Sequence, residues 1–121
     1  MQSTKYDKGV ERIGHNAFGE FAKLNSVKFP NTLEKIDAYA FGATPIYYVY
    51  LPDSVKYVGA RAFVECNNLK KIVIKSKKLK KVGSRAFATI GQNAVIFVPK
   101  ERAWDYRKML EDSTAHAQIV I

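Results

Sequence analysis

The chain is expected to fold as an α/β repeat solenoid, a short parallel sheet of about four stacked coils closed by a C-terminal helix. Three observations carry this expectation. One signature recurs four times, as Ile13-Gly14-x-x-Ala17-Phe18, Ile36-Asp37-x-x-Ala40-Phe41, Val58-Gly59-x-x-Ala62-Phe63 and Val82-Gly83-x-x-Ala86-Phe87, with its phenylalanines 23, 22 and 24 residues apart. That period belongs to stacked coils rather than to a globular fold. A strand-like alternation follows each Ala-Phe pair, and the chain closes on a helical pattern. At 121 residues and 47% apolar composition it has the length and the core of one domain.

In chain order, residues 1–8 read as a tail or truncated repeat, 9–99 as the array and 100–121 as a cap. Val10-x-x-Ile13 occupies the place of Leu33-x-x-Ile36, Val55-x-x-Val58 and Leu79-x-x-Val82 with no strand pattern before it. The chain is therefore expected to start part-way through a repeat, as a mature or excised fragment. Each coil is expected to contribute one strand, around Leu24-x-x-Val27-x-Phe29, Ile46-x-x-Val49-x-Leu51, Leu69-x-x-Ile72-x-Ile74 and a degenerate Ile96-x-Val98. Alternation turns Val27/Phe29, Val49/Leu51, Ile72/Ile74 and Ile96/Val98 inward. Pro30, Pro52 and Pro99 end strands where a missing N–H is tolerated. Gly14, Gly59, Gly83 and, once, Asp37 are expected where the backbone turns sharply. Cys66 takes the coil position of Phe21 and Ile90, so it reads as buried core rather than a reactive thiol.

Residues 100–111 read as a helix opened by Pro99, with Ala103, Tyr106 and Leu110 on one face, covering the last coil. Trp104 and Met109 are expected to join that cover, and Gln118-Ile119-Val120-Ile121 to add a final strand or lid. Met1 to Lys8 offer no comparable cover, so end-to-end self-association is expected of the first coil.

These repeats, above all Val58-Gly59-x-x-Ala62-Phe63-x-x-Cys66-x-x-Leu69-x-x-Ile72-x-Ile74, resemble the BspA-type leucine-rich repeat family over about residues 9 to 99. The chain departs from the pattern at Pro45 and a one-residue deletion in coil two, at Lys75 in place of proline, and at Asn93 where Leu24, Ile46 and Leu69 stand. The resemblance implies a non-catalytic interaction module of a secreted or cell-surface protein, linked to adhesion and to binding extracellular or host proteins. It supplies no short binding motif to carry over.

The residues themselves suggest no chemistry. His15 and His116 lie near opposite ends, there is one cysteine, and no glycine-rich phosphate loop or nucleophile elbow is present. No catalytic residue, metal ligand or cofactor is expected, and no apolar run is long enough to span a membrane.

Two surfaces stand out. The residues between inward ones form the rows Ser26/Lys28, Tyr48/Tyr50, Lys71/Val73 and Val95/Phe97, an apolar and aromatic sheet face of the kind found at interface centres. Tyr48, Tyr50, Lys71, Val73, Val95 and Phe97 are its candidate contacts, against the alternative of cross-strand packing or coverage by the C-terminal segment. The second surface is basic. Residues 66–100 hold nine Lys/Arg and no Asp/Glu, while the remainder holds eleven of each. Lys75, Lys77, Lys78, Lys80, Lys81 and Arg85, with Arg61 stacked beside Arg85, are candidate contacts for a polyanion such as a sulfated polysaccharide. The alternative there is a solvated lysine face.

Overall fold

The computed structural model describes residues 2–5, 9–15, 17, 23–114 and 117–121. The main strands are β1 (Gln2–Lys5), β3 (Leu24–Lys28), β5 (Tyr48–Leu51), β7 (Lys71–Ile74), β9 (Val95–Phe97) and β10 (Gln118–Val120). All their pairings are parallel, β1 on β3 and then β5-β7-β9-β10 in one four-stranded sheet. Between the two parts, Tyr47 N–H donates a hydrogen bond to the Asn25 carbonyl at 3.2 Å. The row Ser26/Lys28 therefore stands outside the laddered face. β1 also corrects the expectation that no strand precedes Val10: Gln2–Lys5 pairs along β3.

The expectation of one strand per coil is corrected as well. The two-residue strands β2 (Arg12–Ile13), β4 (Lys35–Ile36), β6 (Tyr57–Val58) and β8 (Lys81–Val82) form a second parallel sheet. Each of their apolar residues is buried and each partner is exposed. These strands are too short for alternation to announce them; stacking makes them, because Gly59 N–H donates to Ile36 O and Gly83 N–H to Val58 O.

Between the second strand and the next main strand the chain runs through tight turns. Ala40, Ala62 and Ala86 donate back to Asp37, Gly59 and Gly83. Tyr39, Arg61 and Arg85 sit at their corners with φ of 60°, 56° and 56°, the left-handed corner of a type II turn. Alternate amides reach the next coil, Tyr39 to Ala60 O, Arg61 to Ser84 O and Phe63 to Ala86 O. The turn thus satisfies its backbone both within and between coils.

The glycines work differently from the expectation. A methyl on Gly59 would collide with the backbone of Ala38, and one on Gly83 with the backbone of Ala60. Glycine there permits close coil stacking, while the left-handed positions lie two residues later. Among the described residues, nothing lies within 4 Å of a methyl placed on Gly14.

The core is a ladder. Phe41, Phe63 and Phe87 are fully buried and stack at 5.2 and 5.4 Å between ring centroids; Phe18 and Phe21 lie outside the described residues. The inward residues Val49, Leu51, Ile72, Ile74, Ile96 and Val98 are buried, Phe29 likewise, and Val27 partly. At the degenerate coil Asn93 turns outward at φ 62° and the neighbouring Ala94 is buried instead. Cys66 is fully buried and donates to the Phe41 carbonyl at 3.1 Å, and burial pushes its thiol pKa up.

The cap begins with a 3-10 turn (Lys100–Arg102) and continues as α1 (Ala103–Leu110), burying Ala103, Tyr106 and Leu110 as their spacing predicts. Met109 packs against the core, but Trp104 is 73% exposed, with Lys108 over its ring. Trp104 follows Ala103 directly and so points away from the buried stripe. Beyond α1, Asp112 and Ser113 accept from Arg85 and Phe87 N–H as a further coil would, and β10 continues the main sheet.

Candidate functional site

The outward face of the main sheet is built by register alone. Tyr48 pairs with Lys71 and Lys71 with Val95, while Tyr50 pairs with Val73 and Val73 with Phe97. β10 extends the rows with Gln118 and Val120. All six predicted face residues thus come together in two adjacent rows, neighbours within a row lying about 4.8 Å apart on successive strands. Tyr50 is 40% exposed, Tyr48, Val73, Val95 and Phe97 are half-buried, and Lys71 is exposed. The C-terminal segment continues this sheet as a strand, leaving its outward face open.

Lys71 stands between aromatics, its Nζ 5.9 Å from the Tyr48 ring centre and 5.6 Å from that of Phe97. Its charge therefore sits on π-faces rather than swinging free. Tyr47, at the strand's entry, is half exposed and adds a third tyrosine at the margin.

An open groove of about 310 Å³ adjoins these rows, lined by Val73, Phe97, Val98 and Pro99 and flanked by Lys75, Lys77 and Glu101. Lys77 Nζ lies 3.3 Å from Glu101, and its backbone carbonyl accepts from Arg102. The Glu101 carboxyl is held below its usual pKa, first by its own backbone N–H and then by Lys77.

The basic run is spread over several elements. Lys75 and Lys77 line the groove by the cap, Lys81 lies in β8 on the second sheet, and Arg85 is at a turn corner. Lys78 and Lys80 are exposed along the connecting segment. The chain wraps around the coil between residues 71 and 85, and so distributes neighbours in sequence over different faces. Stacking instead joins residues a coil apart: Lys35, Tyr57 and Lys81 form one ladder row, and Tyr39, Arg61 and Arg85 occupy equivalent turn corners. Sequence reading missed Lys35, Tyr57 and Tyr39; the recurrence of polar or aromatic residues just before Ile36, Val58 and Val82 was the available signal.

Among the described residues, no three His, Cys, Asp or Glu gather as metal ligands, and no helix is long and apolar enough to cross a membrane. His116 lies outside those residues. His15 stacks edge-on against Tyr39 at 5.7 Å.

Comparison with known proteins agrees with this architecture. The family model for the BspA type leucine rich repeat region matches residues 1–103 in six copies; the Ala-Phe signature picks out only coils that retain both residues. A leucine rich cell surface protein from Faecalibacterium prausnitzii is similar with a TM-score of 0.65 at 16% identity, covering 80% of this chain and 36% of that one. The pneumococcal vaccine antigen PcpA is similar with a TM-score of 0.67 at 22% identity, covering 100% of this chain and 36% of that one. At these identities the likeness is one of fold, and the chain spans about a third of the length of either protein. No curated protein sequence matches the chain. The repeat, its two stacked sheets and the extent of the family match lead to one assignment: the chain belongs to the BspA-type leucine-rich repeat family.

Proposed function

We propose that this array is a non-catalytic binding module of a secreted or cell-surface protein, and that it holds an extracellular protein partner on the outward face of its main sheet. The observation that carries the reading is the register that sets Tyr48, Lys71 and Val95 beside Tyr50, Val73 and Phe97. Rigid strands hold these side chains, so little entropy is lost on contact, and aromatic anchors dominate such interfaces. The cell-surface description of one structural neighbour supports the compartment. Lys71 within the face, with Lys75 and Lys77 along its margin, favours a partner that sets acidic residues beside its apolar contacts.

The test is binding of the purified array to immobilised collagen, fibronectin and laminin. Tyr50→Ala and Phe97→Ala should each weaken the wild-type interaction by more than about tenfold, the usual cost of losing an aromatic anchor, while melting like wild type. Unchanged affinity in both variants sinks the site. Binding of the wild type to none of the three counts against an extracellular-matrix partner.

A further inference from the structure

The second sheet and its turns carry a different surface, made from charges that stacking collects and ion pairing leaves free. Arg12 and Lys35 both lean on Asp37, Lys56 on Glu34 and Lys77 on Glu101. Arg61, Arg85, Lys80 and Lys81 enter no ion pair among the described residues. These four belong to two successive coils. On one side Lys81 follows Tyr57 in the ladder row; on the other Arg85 stands one coil beyond Arg61, whose guanidinium lies 5.9 Å from the Tyr39 ring.

Between the two columns the chain presents Gly59-Ala60 and Gly83-Ser84. The glycines are required by the backbone of the preceding coil, and the consequence is a strip free of large side chains between cationic and aromatic columns. Asp37 bounds it toward the first coil, and Asp112, whose carbonyl receives the Arg85 amide, bounds it toward the cap. Arg61 and Arg85 also occupy left-handed backbone, a region that glycine enters at no steric cost.

We infer that this strip is a binding site for a linear sulfated polysaccharide lying along the stacking axis, its sulfates on Arg61, Arg85 and Lys81 and a sugar ring against Tyr57. The reading is independent of the protein-binding face on the main sheet. Arg61 and Arg85 stand one coil rise apart, about 4.8 Å, close to the length of one pyranose unit in an extended 1,4-linked chain. Phosphates of one strand of duplex DNA advance about 3.4 Å each along the helix axis and wind around it, out of step with a straight column at that rise. Tyr57 is 38% exposed, enough to offer its ring to a sugar.

The experiment measures affinity for a heparin hexasaccharide at physiological salt. The double variant Arg61→Gly/Lys81→Ala should lose about tenfold or more, through the sulfate contacts and their released counterions. The double variant Lys75→Ala/Lys77→Ala carries the same change in charge and should stay within about twofold. Glycine suits φ 56°, and an unchanged far-ultraviolet spectrum and melting profile confirm the fold of both variants. Equal losses in the two doubles overturn the site in favour of bulk charge. So does a single-stranded oligonucleotide of matching charge binding wild type as tightly as heparin. Retained Tyr50-dependent protein binding in Arg61→Gly/Lys81→Ala separates this proposal from the sheet-face reading.

Discussion

Gly59 and Gly83 show how one missing methyl sets a coil spacing. Alanine at Gly83 would press its Cβ into the Ala60 backbone, which cannot rotate aside as a side chain can. Gly83→Ala should therefore lower unfolding free energy by about 1–3 kcal/mol, the usual cost of overpacking, whereas Gly14→Ala, whose methyl meets nothing among the described residues, should change it by less than about 0.5 kcal/mol. Chemical denaturation of both variants checks the contrast; equal effects would refute the stacking role. Cys66 and Tyr106 make a second residue-scale case, because burial raises the pKa of both. Above the unfolded thiol's pKa of about 8.5 the unfolded chain gives up a proton that the folded chain keeps. Their contribution is therefore complete below that pH and is lost as pH rises through the folded values. The denaturation midpoint should fall between pH 7.5 and pH 10, and Cys66→Ala should flatten the first part of the decline; a level midpoint in wild type contradicts it.

The cap is the element on which the array's end depends. Tyr106, fully buried, donates its hydroxyl proton to Ser76 O at 2.8 Å and accepts the Leu79 amide at 3.0 Å. In the coil before, the Ser76 hydroxyl reaches back to Val55 O, and Ser54 to Leu33 O, so the tyrosine meets coil four where a serine would otherwise do so. Tyr106→Phe leaves the Leu79 amide buried without that acceptor and should cost about 1–3 kcal/mol while the protein stays monomeric. Removing residues 100–121 uncovers the β9 edge and the Arg85 and Phe87 amides together. That truncation should associate with rising concentration in light scattering, and a strictly monomeric product would show that the edge needs no cover. The cap was legible because Ala103, Tyr106 and Leu110 have helical spacing and Gln118-Ile119-Val120-Ile121 is an apolar end. β1 was not, since Gln2-Ser3-Thr4-Lys5 has no apolar period, nor was the second sheet, whose two-residue strands exist only through stacking.

At the scale of the whole molecule, the repeat converts sequence distance into spatial columns, which is why the fold was legible and the surfaces only partly so. The main-sheet rows followed from alternation within each strand, so Tyr48, Tyr50, Lys71, Val73, Val95 and Phe97 fell together as expected. The basic run was less legible because Lys71, Lys77, Lys81 and Arg85 follow one another along the coil, while the stacked Arg61 and Arg85 are 24 residues apart. The net charge of +9 has a consequence of its own, since unpaired cations on coils three and four repel one another in the folded state. Added salt screens that repulsion within a Debye length of about 10 Å at 0.1 M, so the melting temperature should rise from low to moderate sodium chloride. A polyanion seated on the columns adds mass-action stabilisation to screening, because it binds the folded array better than the unfolded chain. Heparin hexasaccharide should then raise the wild-type melting temperature beyond sodium chloride of equal ionic strength, and should raise that of Arg61→Gly/Lys81→Ala by less. If heparin and salt act equally on wild type, the cations are a diffuse charge, and the columns that stacking builds hold no chain.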